Sequence, residues 1–479
     1  MTQLSATPDR GVRAPAWVTA LDVLCLIVLA LMLRSMFDDG YRITVTPELR
    51  VSLRSWPRIA VWLAVLLLVR HALWRVVPWH SRVVGWIRAA WTWEPLRASW
   101  GPFITSRLMV LGAAYVAVNA IGFNPPRPWR ALNNDLLDLY ARWDAGWYFG
   151  IASNGYESHF NPERMNGIAF FPGLPLAMRA VGVLLDLNLW VAGVIVVVNT
   201  FLWGLTYVYR LALEDLPAEQ ARASVMFLAF YPFAVCYSAI LTEAPFLLAA
   251  AATFFHFRRN ELWKGSAFGL FAGVLRPNGF LLAVPLGLLA LIPFAVNRGW
   301  LPGARQDARR SWPQLIGQLA IAGMPVVGML GYAAHANAVV GKPFAFVEAQ
   351  QAWGRETFGG FETFEARRDL VESQGLRTYT RAYTVEIIEA AAALFALFAV
   401  WPITRRFGLA YGIFVAMAVL PPLISMGSVS LGRYTAPLFP IFLWLGAAVP
   451  AEKRPYWIAL FAGAQALFAA MFFTWRPPY

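Results

Sequence analysis

The chain alternates long apolar runs with short polar gaps that carry arginine, and this rhythm predicts a stack of membrane-crossing helices. Residues 17–36 form an apolar run of the length needed to cross a hydrocarbon layer, about 20 residues. Arg10 and Arg13 precede it, and Asp38-Asp39-Gly40 follows without a small-x-small cleavage site, so it reads as a retained anchor with its N-terminus in the cytoplasm. A second span is expected over 59–77, flanked by Arg54, Arg58, Arg70 and Arg75. Residues 78–100 mix Trp79, Trp86, Trp91, Trp93 and Trp100 with arginines. That composition predicts a helix lying in the interface on the cytoplasmic side. A third span over 103–123 then carries the chain outside.

The next polar segment, 124–167, opens with Pro125, Pro126 and Pro128. Beyond them Leu136, Tyr140, Trp143, Trp147 and Ile151 recur at steps of three and four, one face of a helix. Asn133 or Asn134 is placed to cap its start, and Asn154-Gly155 offers a left-handed stop. Asp144 falls at the rim of this aromatic face, one turn from Tyr140 and Tyr148. By the count of crossings the loop faces the extracytoplasmic side.

Apolar segments resume after Gly167, where Pro172 and Pro175 sit in the first turns of a span, a position at which the lost N–H has no helical partner. A span over 189–209 follows. Residues 224–257 read as a broken pair, interrupted at Tyr231-Pro232 and Glu243-Ala244-Pro245, and 266–296 repeats that style around Arg276-Pro277-Asn278-Gly279. Broken helices with polar residues at membrane depth persist only where they line a cavity or pack within protein. The arginine-rich 298–312 is cytoplasmic by charge, and a span over 314–338 leads to the longest polar stretch, 342–384, read as an outer interfacial cap. Spans near 385–403, 407–424, 433–449 and 456–474 complete 12 or 13 helices, the parity between 168 and 264 being left open by charge.

Composition agrees with this picture and excludes a soluble multidomain chain: 59% of residues are hydrophobic and 14% charged. A net charge of +13 would suit nucleic acid, but the basic residues lie between apolar runs, as loops facing anionic lipid do. Cys25 and Cys236 both fall within apolar runs, so neither a disulfide framework nor a metal site is indicated. No His-Glu-x-x-His, Asp-x-Asp or Cys/His spacing calls for a divalent ion.

Few residues are left to carry chemistry. Asp144 reads either as a solvated loop carboxylate or as a general base beside rings. Asp135 and Asp138 suit the first turn of a helix, whose dipole favours acids. Glu157 and His159 lie past the Gly155 stop and are placed to meet a polar substrate or a metal. Glu243 sits in a long apolar run, where an acid costs about 2.5–3.5 kcal/mol at a helix centre and so demands a cavity or a partner. Arg276 and Asn278 are under the same constraint, and a packing pair of Glu243 with Arg276 is one reading. Arg433-Tyr434 opens a late span on the outer side, as a snorkelling anchor or as a fork for phosphate oxygens. Arg355 carries the same two readings.

Five stretches taken together resemble the phosphatidylinositol-glycan class V (PIG-V) mannosyltransferase family and its bacterial relatives: RWDAGWYFGIASNGYE, AFFPGLPL, FYPFAVCYSAILTEAPF, LRPNGFLL and SVSLGRYTAPLFP. FVEAQQAWGR looks like the bacterial branch. The likeness runs from about 140 to 450, with residues 1–102 a two-span addition and 103–479 the catalytic membrane domain. Trp147-Tyr148 departs from the His-Phe-like pair of eukaryotic relatives. The resemblance implies an all-α polytopic membrane protein of GT-C fold, with amphipathic helices in the first large outer loop (124–167) and a second outer loop at 342–384. It implies an inverting transfer of mannose from polyprenyl-phosphate-mannose to a glycolipid or glycan at the outer face of a bacterial plasma membrane. Asp144 maps onto the family's base. Arg142, Trp143, Trp147, Tyr148, Tyr156, Glu157, Glu243, Arg276, Asn278, Gln350, Arg355, Arg433 and Tyr434 are the expected substrate contacts, with Arg433 first and Arg276 second for the phosphate. The lipid-linked sugar is a co-substrate, and no cofactor is expected. A transporter or flippase of lipid-linked sugars is the competing reading, since broken helices and buried charges suit it too.

Overall fold

The computed structural model describes residues 14–36, 41–44, 50–53, 55–123, 129–302, 311–354, 359–427 and 430–476. The chain divides into two compact units, 1–93 and 94–479.

In the first unit, helices α1 (Ala16–Ser35) and α2 (Trp56–Leu73) pack together and flank a hairpin of β1 (Tyr41–Thr44) and β2 (Arg50–Leu53), followed by α3 (Trp79–Thr92). The hairpin is an addition to an otherwise helical expectation. Asp22 is wholly buried in α1, and it is neutralised by Arg70 (Nε to Oδ1, 2.7 Å) and by Arg82. No side chain of α3 is buried, as suits a helix lying on a surface.

The second unit holds α4 (Glu94–Ala120), the short α5 (Asp135–Asp138), α6 (Ala145–Asn154), α7 (Gly173–Leu185), α8 (Leu189–Ala212), α9 (Ala218–Phe230), α10 (Glu243–Arg258), α11 (Leu262–Leu275), α12 (Ala283–Arg298) and α13 (Trp312–Val340). Then come α14 (Ala345–Glu348), α15 (Gly359–Gln374), α16 (Leu376–Ala382), α17 (Thr384–Phe407), α18 (Leu409–Met426), α19 (Leu431–Thr435), α20 (Phe439–Ala448) and α21 (Arg454–Phe473). Among the described residues eight helices are long and apolar enough to cross a membrane: α1, α2, α4, α8, α12 with the turn before it, α13, α17 and α21. Helix α9 passes only together with the 3-10 turn Pro232–Ser238, from which it is bent by 74°, and α7, α11, α18 and α20 are apolar but shorter. Against the 12 or 13 crossings expected, the described residues thus hold eight such helices, or nine if the bent pair is one span; the four shorter apolar helices fall short of that length. Among the described residues the protein is an all-α polytopic membrane protein apart from one hairpin.

The break after α9 follows from Pro232, which lacks an N–H and bars Tyr231 from helical geometry; Tyr231 takes φ −54°, ψ 137°. The carbonyls this frees are met by side chains. Gln465 donates to Ala229 O (3.1 Å) and Tyr231 O (2.9 Å), and buried Arg107 donates to Ala234 O (3.0 Å) and Ser238 Oγ (2.7 Å). Residues 221–257 are almost continuously buried, so the broken segment is packed inside protein, as irregular backbone at membrane depth must be. At the second break Gly279 approaches so closely that a Cβ there would lie 2.1 Å from Ala272 O.

One expected element is corrected. The aromatic periodicity of 136–151 predicts a single helix, but the segment folds as α5 and α6 with a turn between them. Asn134 does cap α5, accepting from Leu137 N at 3.0 Å, and Gly155 ends α6 at φ 79°. Between them Asp138 is buried, accepting from Ala131 N (2.8 Å) and Leu132 N (3.1 Å), and Trp143 takes φ 54°. Periodicity cannot register a carboxylate that binds the preceding loop instead of the helix dipole.

Candidate active site

Asp144 is the residue immediately before α6, and its side chain does not cap that helix. Instead it faces a cavity of about 380 Å³. The left-handed backbone at Trp143, costly for a bulky residue, aims the acid this way. Trp143 is held there by its indole, which donates to Phe472 O at 3.0 Å. Tyr148, one turn on, lines the same cavity; burial, and then the neighbouring carboxylate, push its hydroxyl well above the ordinary range, so it stays a neutral phenol.

Opposite stands Arg433, on α19. Its Nη1 donates to Asp144 Oδ2 at 2.7 Å and its Nε to Glu243 Oε1 at 2.6 Å. Glu243 opens α10 and is fully buried; among the described residues its Oε2 has no hydrogen-bond partner. Arg276 reaches the same Glu243 Oε1 at 3.7 Å and lies 4.8 Å from the Tyr434 ring centroid. Four distant segments thus bring an acid–base–acid–base chain to one wall.

The five-residue α19 is fixed from several sides. A Cβ at Gly432 would lie 2.0 Å from Phe233, so only glycine lets the turn seat against the broken segment. Tyr231 and Thr435 share a 2.7 Å hydrogen bond, and Tyr237 donates to Ala436 O at 2.7 Å. Ahead of it, Ser430 takes φ 62° and donates its N–H to buried Glu389 at 2.7 Å.

The remaining walls are aromatic and polar. Phe170 and Trp353 line the cavity and meet edge to face, backed by Trp147 stacked on Phe170 at 5.6 Å. Gln350, Thr363 and Arg367 close it from 342–384, with Arg367 held by a two-point pair to Glu386 at 2.9 and 2.8 Å.

Of the expected contacts, Trp143, Tyr148, Arg276, Gln350, Arg433 and Tyr434 line this cavity with Asp144. Glu243 stands behind Arg433. Asn278 lines a neighbouring slot that shares Arg276 and Tyr434. Four others are not brought there. Arg142 is buried and donates to Phe473 O (3.0 Å) and Asp138 O (2.6 Å), because its guanidinium serves the turn before α6. Trp147 reaches the site only through Phe170. Tyr156 donates to Phe170 O at 2.7 Å within an apolar cluster, and Glu157 is exposed. Arg355 lies outside the described residues. Among the described residues no three His, Cys, Asp or Glu side chains converge as metal ligands do.

The sequence reading missed Glu389, Arg367, Trp353 and Phe170. Glu389 did carry a signal, an acid inside an expected span. Arg367 carried none, being one arginine of several in a polar stretch.

One carboxylate, three arginines and an aromatic wall thus surround a shared cavity. Residues 114–290 match the family model described as mannosyltransferase (PIG-V), and this segment holds Asp144, Glu243 and Arg276. The matched segment covers part of the chain and includes four of the five stretches whose motifs carry the resemblance. No curated protein is similar enough to be matched to it. Among solved structures it is similar to an Archaeoglobus fulgidus oligosaccharyltransferase tethered to an acceptor peptide, at 14% identity and TM-score 0.42, covering 81% of this chain and 56% of that one. The same organism's oligosaccharyltransferase with Zn and sulfate gives 15%, TM-score 0.35, and 78% and 53%. The A. fulgidus oligosaccharyltransferase AglB with an inhibitory peptide and a dolichol-phosphate gives 15%, TM-score 0.37, and 78% and 56%. The chain spans a little over half the length of these structures.

Proposed function

We propose that this protein is a membrane glycosyltransferase of GT-C type that moves mannose from a polyprenyl-phosphate donor to a glycolipid or glycan hydroxyl at the extracytoplasmic face. The observation that carries the reading is the wall on which Asp144, the one acidic side chain lining the cavity among the described residues, meets Arg433 and Arg276.

The chemistry follows from those groups. An acceptor hydroxyl attacks the anomeric carbon from the side opposite the phosphate, forming the new C–O bond. The bond from that carbon to the phosphate oxygen breaks, its electron pair leaving with polyprenyl phosphate, and the anomeric configuration inverts. Asp144 takes the hydroxyl proton, a contribution worth about 10²–10⁴-fold. Polyprenyl phosphate is already a good leaving group, so no second, protonated carboxyl is needed as in glycosidases. Preorganised guanidinium donors stabilise the charge that develops on its oxygens. Phe170 and Trp353 offer ring faces to the sugar.

The test is transfer by detergent-purified protein from polyprenyl-phosphomannose to a glycan acceptor. Label moved with no membrane present supports the reading and excludes pure transport. No transfer across a panel of glycolipid and glycan acceptors counts against it.

A further inference from the structure

We propose that the two site arginines have separate jobs: Arg433 positions Asp144, while Arg276 seats the donor's phosphate at the mouth of an apolar slot that takes the first units of the lipid chain. This rests on the function proposed above and reverses the order of the two arginines expected from sequence.

Arg433 is committed to carboxylates. Its fork spends Nε on Glu243 at 2.6 Å and Nη1 on Asp144 at 2.7 Å. A phosphate that drew Arg433 away would strip its short partner from Glu243, which has no exposed surface and already carries one oxygen without a partner. Uncompensated buried charge of that kind is strongly penalised. Anchored on Glu243 through Nε, Arg433 instead holds one oxygen of Asp144 through Nη1, which orients the carboxylate as proton transfer in a crowded site requires.

Arg276 is placed differently. Its carboxylate neighbour lies at 3.7 Å, beyond hydrogen-bond reach, and its other close neighbours are the rings of Phe246 and Tyr434. It gains a phosphate without giving up a short bond. Its position names the ligand class: Arg276 and Tyr434 border both the polar cavity and a slot of only about 10 Å³, walled by Leu281, Leu282, Phe414 and Met417, which must widen to take a lipid chain. Asn278 also lines the slot, and its Oδ1 is buried with no hydrogen-bond partner. A cation at the seam of a polar and an apolar compartment matches a monophosphate bearing a hydrocarbon tail. A soluble sugar phosphate or a nucleotide would leave the slot empty. Met417, unbranched and flexible, is suited to yield as the tail enters.

The experiment combines kinetics with inhibition by polyprenyl phosphate and by inorganic phosphate. Arg433→Ala should lower kcat by about 100-fold or more with the donor KM within about threefold, the pattern of a lost transition-state contribution. Arg276→Gln should raise the donor KM by about tenfold or more and weaken both inhibitors. Met417→Trp should weaken inhibition by polyprenyl phosphate alone. If Arg433→Ala lowers the melting temperature sharply, Arg433→Lys replaces it and should still lose kcat without a change in KM, because an ammonium cannot span both carboxylates. A rise in KM at Arg433 equal to that at Arg276, or Met417→Trp without effect on polyprenyl phosphate, overturns the proposal. Wild-type protein that binds polyprenyl phosphate through Arg276 but transfers no sugar would contradict the proposed function and leave this assignment standing.

Discussion

At the scale of single residues, Asp144 gains its character from what holds it. It is neither a helix cap nor a freely solvated acid, because Arg433 pins one oxygen and Glu243 pins Arg433. Removing one partner from a buried pair costs about 3–5 kcal/mol where the survivor stays buried. Glu243→Ala should therefore lower the melting temperature of the purified protein far more than Glu157→Ala, which touches only an exposed position; equal shifts would show that the Glu243 pairing holds nothing. The motif around Asp144 was legible from residue types and order, and so was the need of Glu243 for a partner. Which arginine it would choose was not legible. Arg276 and Arg433 were equally available along the chain, and only the fold sets one at 2.6 Å and the other at 3.7 Å. The same limit applied to Arg142, whose guanidinium turns away from the acid two residues on.

At the scale of elements, the site depends on interruptions. The break at Pro232, the left-handed Trp143 and the short α19 each place a group that a continuous helix would carry elsewhere. Gly432→Ala should displace α19 from Phe233 and abolish turnover, whereas Gly287→Ala, with open space around its Cβ position, should be neutral or slightly stabilising. Activity and thermal unfolding measured on both variants decide this, and a fully active Gly432→Ala protein would mean that the turn is not tightly seated. Gln465→Leu should cost about 0.5–1.5 kcal/mol per hydrogen bond lost, since Ala229 O keeps Arg107 and Tyr231 O keeps the Ala234 N–H as donors. Apolar runs and proline positions announced these breaks. The split of α5 from α6 stayed hidden, because an aromatic repeat at helical spacing is satisfied equally by one helix and by two short turns in register.

At the scale of the whole molecule, apolar runs announced a polytopic membrane protein, although several of the apolar helices are too short to span alone. Sidedness is the consequence that matters for function, since a lipid-linked donor and a cytosolic nucleotide sugar lie on opposite faces. On a background lacking Cys25 and Cys236, a cysteine at exposed Ser158 should react with a membrane-impermeant maleimide in intact cells. One at Arg406, exposed in the last turn of α17, should react only after lysis. The reverse pattern would put the cavity on the cytoplasmic side and remove the polyprenyl donor from the account.

The central claim is that Asp144 is the base, and Asp144→Asn tests it most directly because the amide keeps size and shape but cannot take the proton. Purified variant and wild type, each given polyprenyl-phosphomannose and an acceptor, should differ in turnover by about 10²–10⁴-fold while polyprenyl phosphate binds both. Turnover retained by the asparagine variant would contradict the assignment.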